Sequence, residues 1–183
     1  MKAIDILMDE HQVILKVLDA LEAYTQGIKK NNGTDYKDFA RFAEFFREFA
    51  DKCHHGKEEA ILFEEMINHG ISREKGPLAV MYYDHDLGRT QVRIMAEIGS
   101  TPQFDETARQ EAVQSAFTYI TMLRSHIFKE DRILYPMALQ SIPTQVMEDM
   151  AEKFEEFEEK ETGAGVHHYL HQLGEELIEK YGK

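Results

Sequence analysis

Two segments of this chain carry the same chemistry-bearing pattern. His54-x-x-x-Glu58 and His126-x-x-x-Glu130 each set an imidazole and a carboxylate four residues apart, which makes them neighbours on the surface of a helix. A lone histidine precedes each pair: His11 in Asp9-Glu10-His11, and His85 in Tyr83-Asp84-His85. The lone histidines are 74 residues apart and the paired ones 72, so the pattern reads as an internal duplication. Imidazole with carboxylate is a mixed nitrogen and oxygen donor set, the kind that holds first-row transition metals.

The company these residues keep sharpens that reading. Phe42, Phe46, Ala50, His54, Glu58, Leu62 and Met66 fall at four-residue steps, and the row is apolar except at His54 and Glu58. Met122, His126, Glu130 and Leu134 form a second such row. His11 sits in a stripe with Leu7, Met8, Ile14 and Leu18, and His85 in one with Leu78, Met81, Tyr82 and Val92. Two carboxylates facing an apolar core cost several kcal/mol each unless compensated. Metal cations bound by the neighbouring neutral imidazoles supply that compensation. His55 and Glu59 have the same spacing, but they share a row with Glu48, Asp51 and Lys52, so the expectation falls on His54 and Glu58. If Glu58 and Glu130 both bridge, each of two ions has two imidazoles and two carboxylate oxygens. A solvent-derived bridge adds a fifth ligand and leaves about one open position per ion, which suits redox-active iron.

The elements that must position these residues read as helices throughout. Apolar residues recur at three- and four-residue spacing over about 5–28, 35–68, 77–98 and 105–139. Lys29-Lys30-Asn31-Asn32-Gly33, His69-Gly70 and Gly99-Ser100-Thr101-Pro102 punctuate them, and Pro77 suits a first helical turn. Short connections predict antiparallel neighbours, hence an all-α, up-down four-helix bundle over residues 1–140. Two further helices, about 143–161 and 166–181, are expected as an appendage on the same domain. A ferritin-like bundle would need Glu-x-x-His on two helices, and no histidine here has a glutamate three residues before it.

These elements resemble the hemerythrin-like, or HHE cation-binding, family. The resemblance covers about residues 1–140 and runs through His11, His54-x-x-x-Glu58 with Glu59, Asp84-His85-Asp86-Leu87-Gly88-Arg89, and His126-x-x-x-Glu130 continuing into Leu134-Tyr135-Pro136. The four elements occur in order at spacings of 43, 31 and 41 residues. The resemblance implies two non-haem iron ions with an oxo or hydroxo bridge, manganese or zinc being substitutes. His11, His54, His85 and His126 would be terminal ligands, with Glu58 and Glu130 bridging. Oxygen-carrying hemerythrins have two histidines one turn apart on the third helix, whereas Met81 and Arg89 flank His85 at that spacing. The four-His, two-Glu set is closer to the di-iron domain of proteins that repair iron–sulfur clusters after nitrosative or oxidative damage. Those usually carry a cysteine-bearing segment before the first helix, and the likeness does not extend to it.

The expected function is binding or sensing of O2, NO or peroxide at the metal pair. The alternatives are iron donation to, or repair of, damaged iron–sulfur clusters, and a di-iron oxidoreductase acting on peroxide. A net charge of −13 argues against nucleic acid, and no apolar run reaches the roughly 18–20 residues of a membrane span. The N-terminus lacks the apolar stretch of a secretory signal, so a cytoplasmic protein is expected. Nothing identifies a protein partner. Cys53 is the one cysteine, which excludes an internal disulfide, and it reads as a small buried residue. His69 at a helix end suits the dipole there. His167, His168 and His171 read as surface or packing residues, although His167 and His171 are four apart. Tyr82, Tyr83 and Tyr135 lie near the predicted site, where one could hydrogen-bond a metal-bound group.

Overall fold

The structure is a computed structural model, and it describes residues 2–30, 35–102, 104–161 and 163–182. These form six helices and no strand among the described residues. Helix α1 is Lys2–Lys29, α2 covers 38–68, α3 is Pro77–Ser100, α4 covers 106–141, α5 is Thr144–Glu161 and α6 is Ala164–Tyr181. Part of the Lys29–Gly33 break expected from sequence lies outside the described residues.

Local chemistry sets the helix ends. The Asp105 side chain accepts from the Ala108 backbone N–H at 2.9 Å and caps α4. Pro77 occupies the first turn of α3 directly after Gly76, whose φ of 72° favours glycine. At the end of α2, Gly70 has a φ of 92°, and the Ile71 and Gly70 N–H groups donate back to Met66 and Ile67, a Schellman closure. His69 Nδ1 donates to the Glu65 carbonyl at 2.8 Å, so this imidazole serves the helix end as expected.

Helix α2 is not wound uniformly. Phe46–His55 and Glu58–Leu62 are π-helical, with the Gly56 N–H reaching back five residues to the Asp51 carbonyl. In α4 the segment Glu130–Leu134 is wound the same way. The π turns that begin at Glu58 and at Glu130 lie 72 residues apart, so the duplication in the sequence recurs in the backbone. Such wide turns often accompany functional sites.

Two apolar clusters fill the bundle. One contains Ile14, Phe42, Phe46, Val92, Leu123 and the α6 residues Leu170, Leu173 and Leu177. The other contains Leu7, Leu62, Met81, Leu134 and the α5 residues Met147, Met150 and Phe154. Between them runs a layer of buried polar side chains: His11, His54, Glu58, His85, His126 and Glu130, each at most 1% exposed. Helices α5 and α6 both pack on α1 and α2. The closest approach of α3 to α2 is at Gly99, where an added Cβ would sit 2.9 Å from both Cα and Cβ of Ala40. Gly99→Ala is expected to destabilise the fold by about 2–3 kcal/mol, as overpacking against backbone does. Urea denaturation checks this, and an unchanged midpoint would refute it.

Candidate metal centre

The polar layer resolves into two adjoining groups. In one, ligand atoms of His11, His54 and Glu130 lie within 4.8 Å of one another; in the other, those of His55, Glu58, His85 and His126 do. Glu130 faces His11 Nε2 at 3.2 Å and His126 Nε2 at 3.0 Å, with His85 Nε2 at 3.9 Å. Glu58 Oε2 faces His85 Nε2 at 3.5 Å and His54 Nε2 at 3.8 Å. Each glutamate thus touches histidines of both groups. All six residues singled out from sequence meet in this layer.

The donor atoms are the point on which a metal is tested. His54 Nε2, Glu58 Oε2, His85 Nε2, His126 Nε2 and both Glu130 oxygens are buried and make no hydrogen bond of acceptable geometry. Orphaned buried polar atoms are costly. Here they converge, and their chemistry is that of a transition-metal donor set. The residues present therefore fit a bound metal pair.

The outward face of each imidazole is held by a carboxylate. His11 Nδ1 donates to Asp131 at 2.8 Å, His54 Nδ1 to Glu10 at 2.8 Å and His85 Nδ1 to Glu59 at 2.6 Å. His126 Nδ1 faces Asp84 at a longer 3.4 Å. Such partners fix the tautomer that leaves Nε2 free for a metal. They obey the duplication: Glu10 and Asp84 are 74 apart, and Glu59 and Asp131 are 72 apart. Lys57 and Lys129, 72 apart, pair with Glu10 and Asp84 respectively. Arg89 ties Glu59 to Asp51, at 2.7 and 2.9 Å. The sequence signal for this outer ring was the acid that precedes each lone histidine, and its role was not legible without the fold.

His55 is a correction. Its expected place on a polar row is wrong: it is 5% exposed, stacked on His85 at 3.8 Å between ring centroids, and within reach of Glu58 and His126. The π winding of Phe46–His55 puts more residues in each turn, so two consecutive histidines both face inward. Glu59 does point outward, but to hold His85. Of the three tyrosines, Tyr135 donates to Glu58 Oε1 at 2.7 Å, Tyr83 is exposed, and Tyr82 packs on Phe63 and Arg73. Cys53 is buried, as expected.

Charge distributes unevenly without metal. Burial pushes the Glu58 carboxyl up, and Glu130 adds to the rise. Burial acts on Glu130 the same way, but His126, His11 and His85 outweigh it and hold that carboxyl well below its usual range. Burial disfavours the His11 cation, yet Asp131 and Glu130 raise it to about 9. Glu130 and Asp84 likewise overcome burial at His126 and raise it to about 10. Burial, aided by His85, lowers His55 to about 3, and burial with His11 and His55 holds His54 well below its ordinary value.

These directions predict a stability optimum for the metal-free protein near pH 6.5, the ordinary histidine value. The raised pair, His11 and His126, contributes stability that is full below that pH and lost as pH climbs through 9 to 10. The depressed pair, His54 and His55, contributes stability present above it and lost as pH falls, for His55 toward 3. Metal replaces those protons, so loading should abolish the alkaline loss. Urea midpoints at pH 6.5 and 9, with and without metal, check this; equal alkaline losses would contradict it.

Comparison with known proteins agrees with the site. The family model described as the hemerythrin HHE cation binding domain matches residues 2–138. Uncharacterized proteins of Mycobacterium tuberculosis and Mycobacterium bovis are 29% identical over 162 residues, which is 86% of this chain and 61% of theirs. This chain therefore spans 61% of the length of those mycobacterial relatives. An iron-sulfur cluster repair protein, YtfE, of Musicola paradisiaca is 35% identical over 91 residues, 48% of this chain and 40% of its own. No solved structure matches. No described helix is long and apolar enough to cross a membrane. With a model match over three quarters of its length and an interior of convergent imidazoles and carboxylates, the chain belongs to the hemerythrin HHE cation-binding family.

Proposed function

We propose that this chain is a non-haem di-iron protein that binds a small ligand, O2, NO or peroxide, at the metal pair. His11, His54, His85 and His126 with Glu58 and Glu130 are the ligands, and His55 joins the second group. The observation that carries this reading is the convergence of orphaned donor atoms in two adjoining groups that share both glutamates. The first four helices form the up-down antiparallel bundle that carries the ligands, and α5 and α6 complete the same domain. Iron, when bound, supplies open coordination positions and one-electron chemistry.

The chain's own residues do the rest. The outer carboxylates hold each imidazole in one tautomer. Tyr135 orients Glu58 by donating to one of its oxygens. The two apolar clusters keep bulk water from both ends of the layer. A cavity of about 290 Å³ between α2 and α3, with Phe46, Val92, Ala96 and Tyr119 among its walls, reaches inward to His55 and Arg89. It gives a small ligand an approach from the His55 side. Anaerobically reduced, iron-loaded protein should change its visible spectrum on exposure to O2 or to NO. A spectrum unmoved by either would overturn the reading.

A second reading is favoured by the likeness to an iron–sulfur cluster repair protein over about half the chain. In it, the loaded protein donates iron to a damaged cluster protein. Mixing it with an apo cluster protein tests this: transfer no faster than from free ferrous ion rules it out.

A further inference from the structure

We propose a third, more accessible cation site between α1, α5 and α6, formed by His167, His171 and Glu158, which receives a divalent cation before it enters the buried pair. The inference rests on the di-metal reading for its purpose, though not for its existence. His167 and His171 lie one turn apart on α6 with ring centroids 4.5 Å apart. His167 Nε2 already meets Glu158 Oε1, on the neighbouring helix α5, at 3.1 Å. A cavity of about 280 Å³ opens beside them, with Asp9 and Glu10 on its α1 wall. A second cavity, of about 310 Å³, shares His167 and Glu158 and adds Glu155 and Glu159 at its wall.

Each part of this arrangement favours a cation. Histidines four apart on a helix and a carboxylate from a facing helix make a three-donor set with room for solvent. The imidazoles select a borderline metal such as ferrous iron or zinc over calcium or magnesium. The surrounding carboxylates raise the local concentration of any cation. The nearest opposing charge is Lys57, which sits 3.3 Å from the other Glu158 oxygen and is itself paired with Glu10. Lys57 thus leaves Oε1 for the cation.

Position gives the site its role. Glu10 lines this cavity and also accepts from His54 Nδ1. The cavity wall is therefore one side chain from a ligand of the buried pair, on the face opposite His55.

Cobalt(II) titration of the metal-free full chain tests the proposal, read by visible absorption and equilibrium dialysis. Wild type should bind a third equivalent, weaker than the first two. A His167→Gln, His171→Asn double variant should weaken that third equivalent at least tenfold while keeping the first two. It should also slow ferrous loading of the buried pair several-fold. Glu158→Gln should weaken the third equivalent as well. A third equivalent absent in wild type, or undiminished in the double variant, overturns the proposal. Loss of the first two equivalents with the third retained would instead overturn the di-metal reading and leave this site standing.

Discussion

Glu58→Gln and Glu130→Gln should both empty the metal centre yet shift the stability of the metal-free protein in opposite directions. Each glutamate touches histidines of both groups, so loss of either charge removes a ligand common to two ions. The affinity loss should exceed the roughly 10–100-fold that altering an outer partner of a ligand costs. Without metal the two side chains differ. Glu58 is pushed toward its neutral form and accepts from Tyr135, an arrangement glutamine reproduces. Glu58→Gln should therefore leave the metal-free protein as stable as before, or more so. Glu130 carries the charge that sustains protonated His11 and His126. Its amide strands those cations, and stability near neutral pH should fall by about 3–5 kcal/mol. Metal analysis with urea midpoints decides it. Full metal retention in Glu58→Gln, or equal destabilisation by the two variants, would contradict the account.

Lys57→Met should destabilise the fold by about 3–5 kcal/mol, although Lys57 is no ligand. Its ammonium is fully buried against Glu10, with Glu158 at 3.3 Å. Burial raises the Glu10 carboxyl, and Lys57 is the chief opposing influence. Removing the lysine leaves a buried carboxylate unpaired and loosens its grip on His54 Nδ1. Metal affinity should fall with stability, by about 10–100-fold. Adding Glu10→Gln should restore much of the stability, because amide and thioether leave no orphaned charge, but not the affinity. Denaturation of the metal-free variants, followed by metal titration, separates the two effects. A fully additive double variant would show that the pair is not coupled.

The ligand rows were legible because they are errors by the rules of a core: a histidine or glutamate at an apolar position, repeated in both halves. The helices were legible from apolar spacing and breakers to within a few residues; α2 starts at Asp38 rather than near 35, and α6 at Ala164 rather than 166. His55 was misplaced because a four-residue row assumes uniform winding. In the π stretch the row drifts, and no residue type in Phe46–His55 announces it. The outer ring was half visible. The recurrence of Glu10 with Asp84, and of Lys57 with Lys129, is in the sequence, but that Glu10 serves His54 rather than its neighbour His11 needs two helices side by side. The expected surface role of His167 and His171 omitted Glu158, because nothing in the chain order places α5 against α6 at that height.

The position of α5 bears on how this protein can be cut or transplanted. Phe157 lies against Gly56, where a Cβ would come within 2.7 Å of its ring, and Phe154 is buried beside Leu7 and Leu62. The stretch recognisable by similarity stops at residue 138, before either phenylalanine. A cassette trimmed to that stretch would export every imidazole while uncovering a greasy flank and depriving Lys57 of Glu158. Any graft of this metal centre into a new host should therefore carry the tail as far as α6.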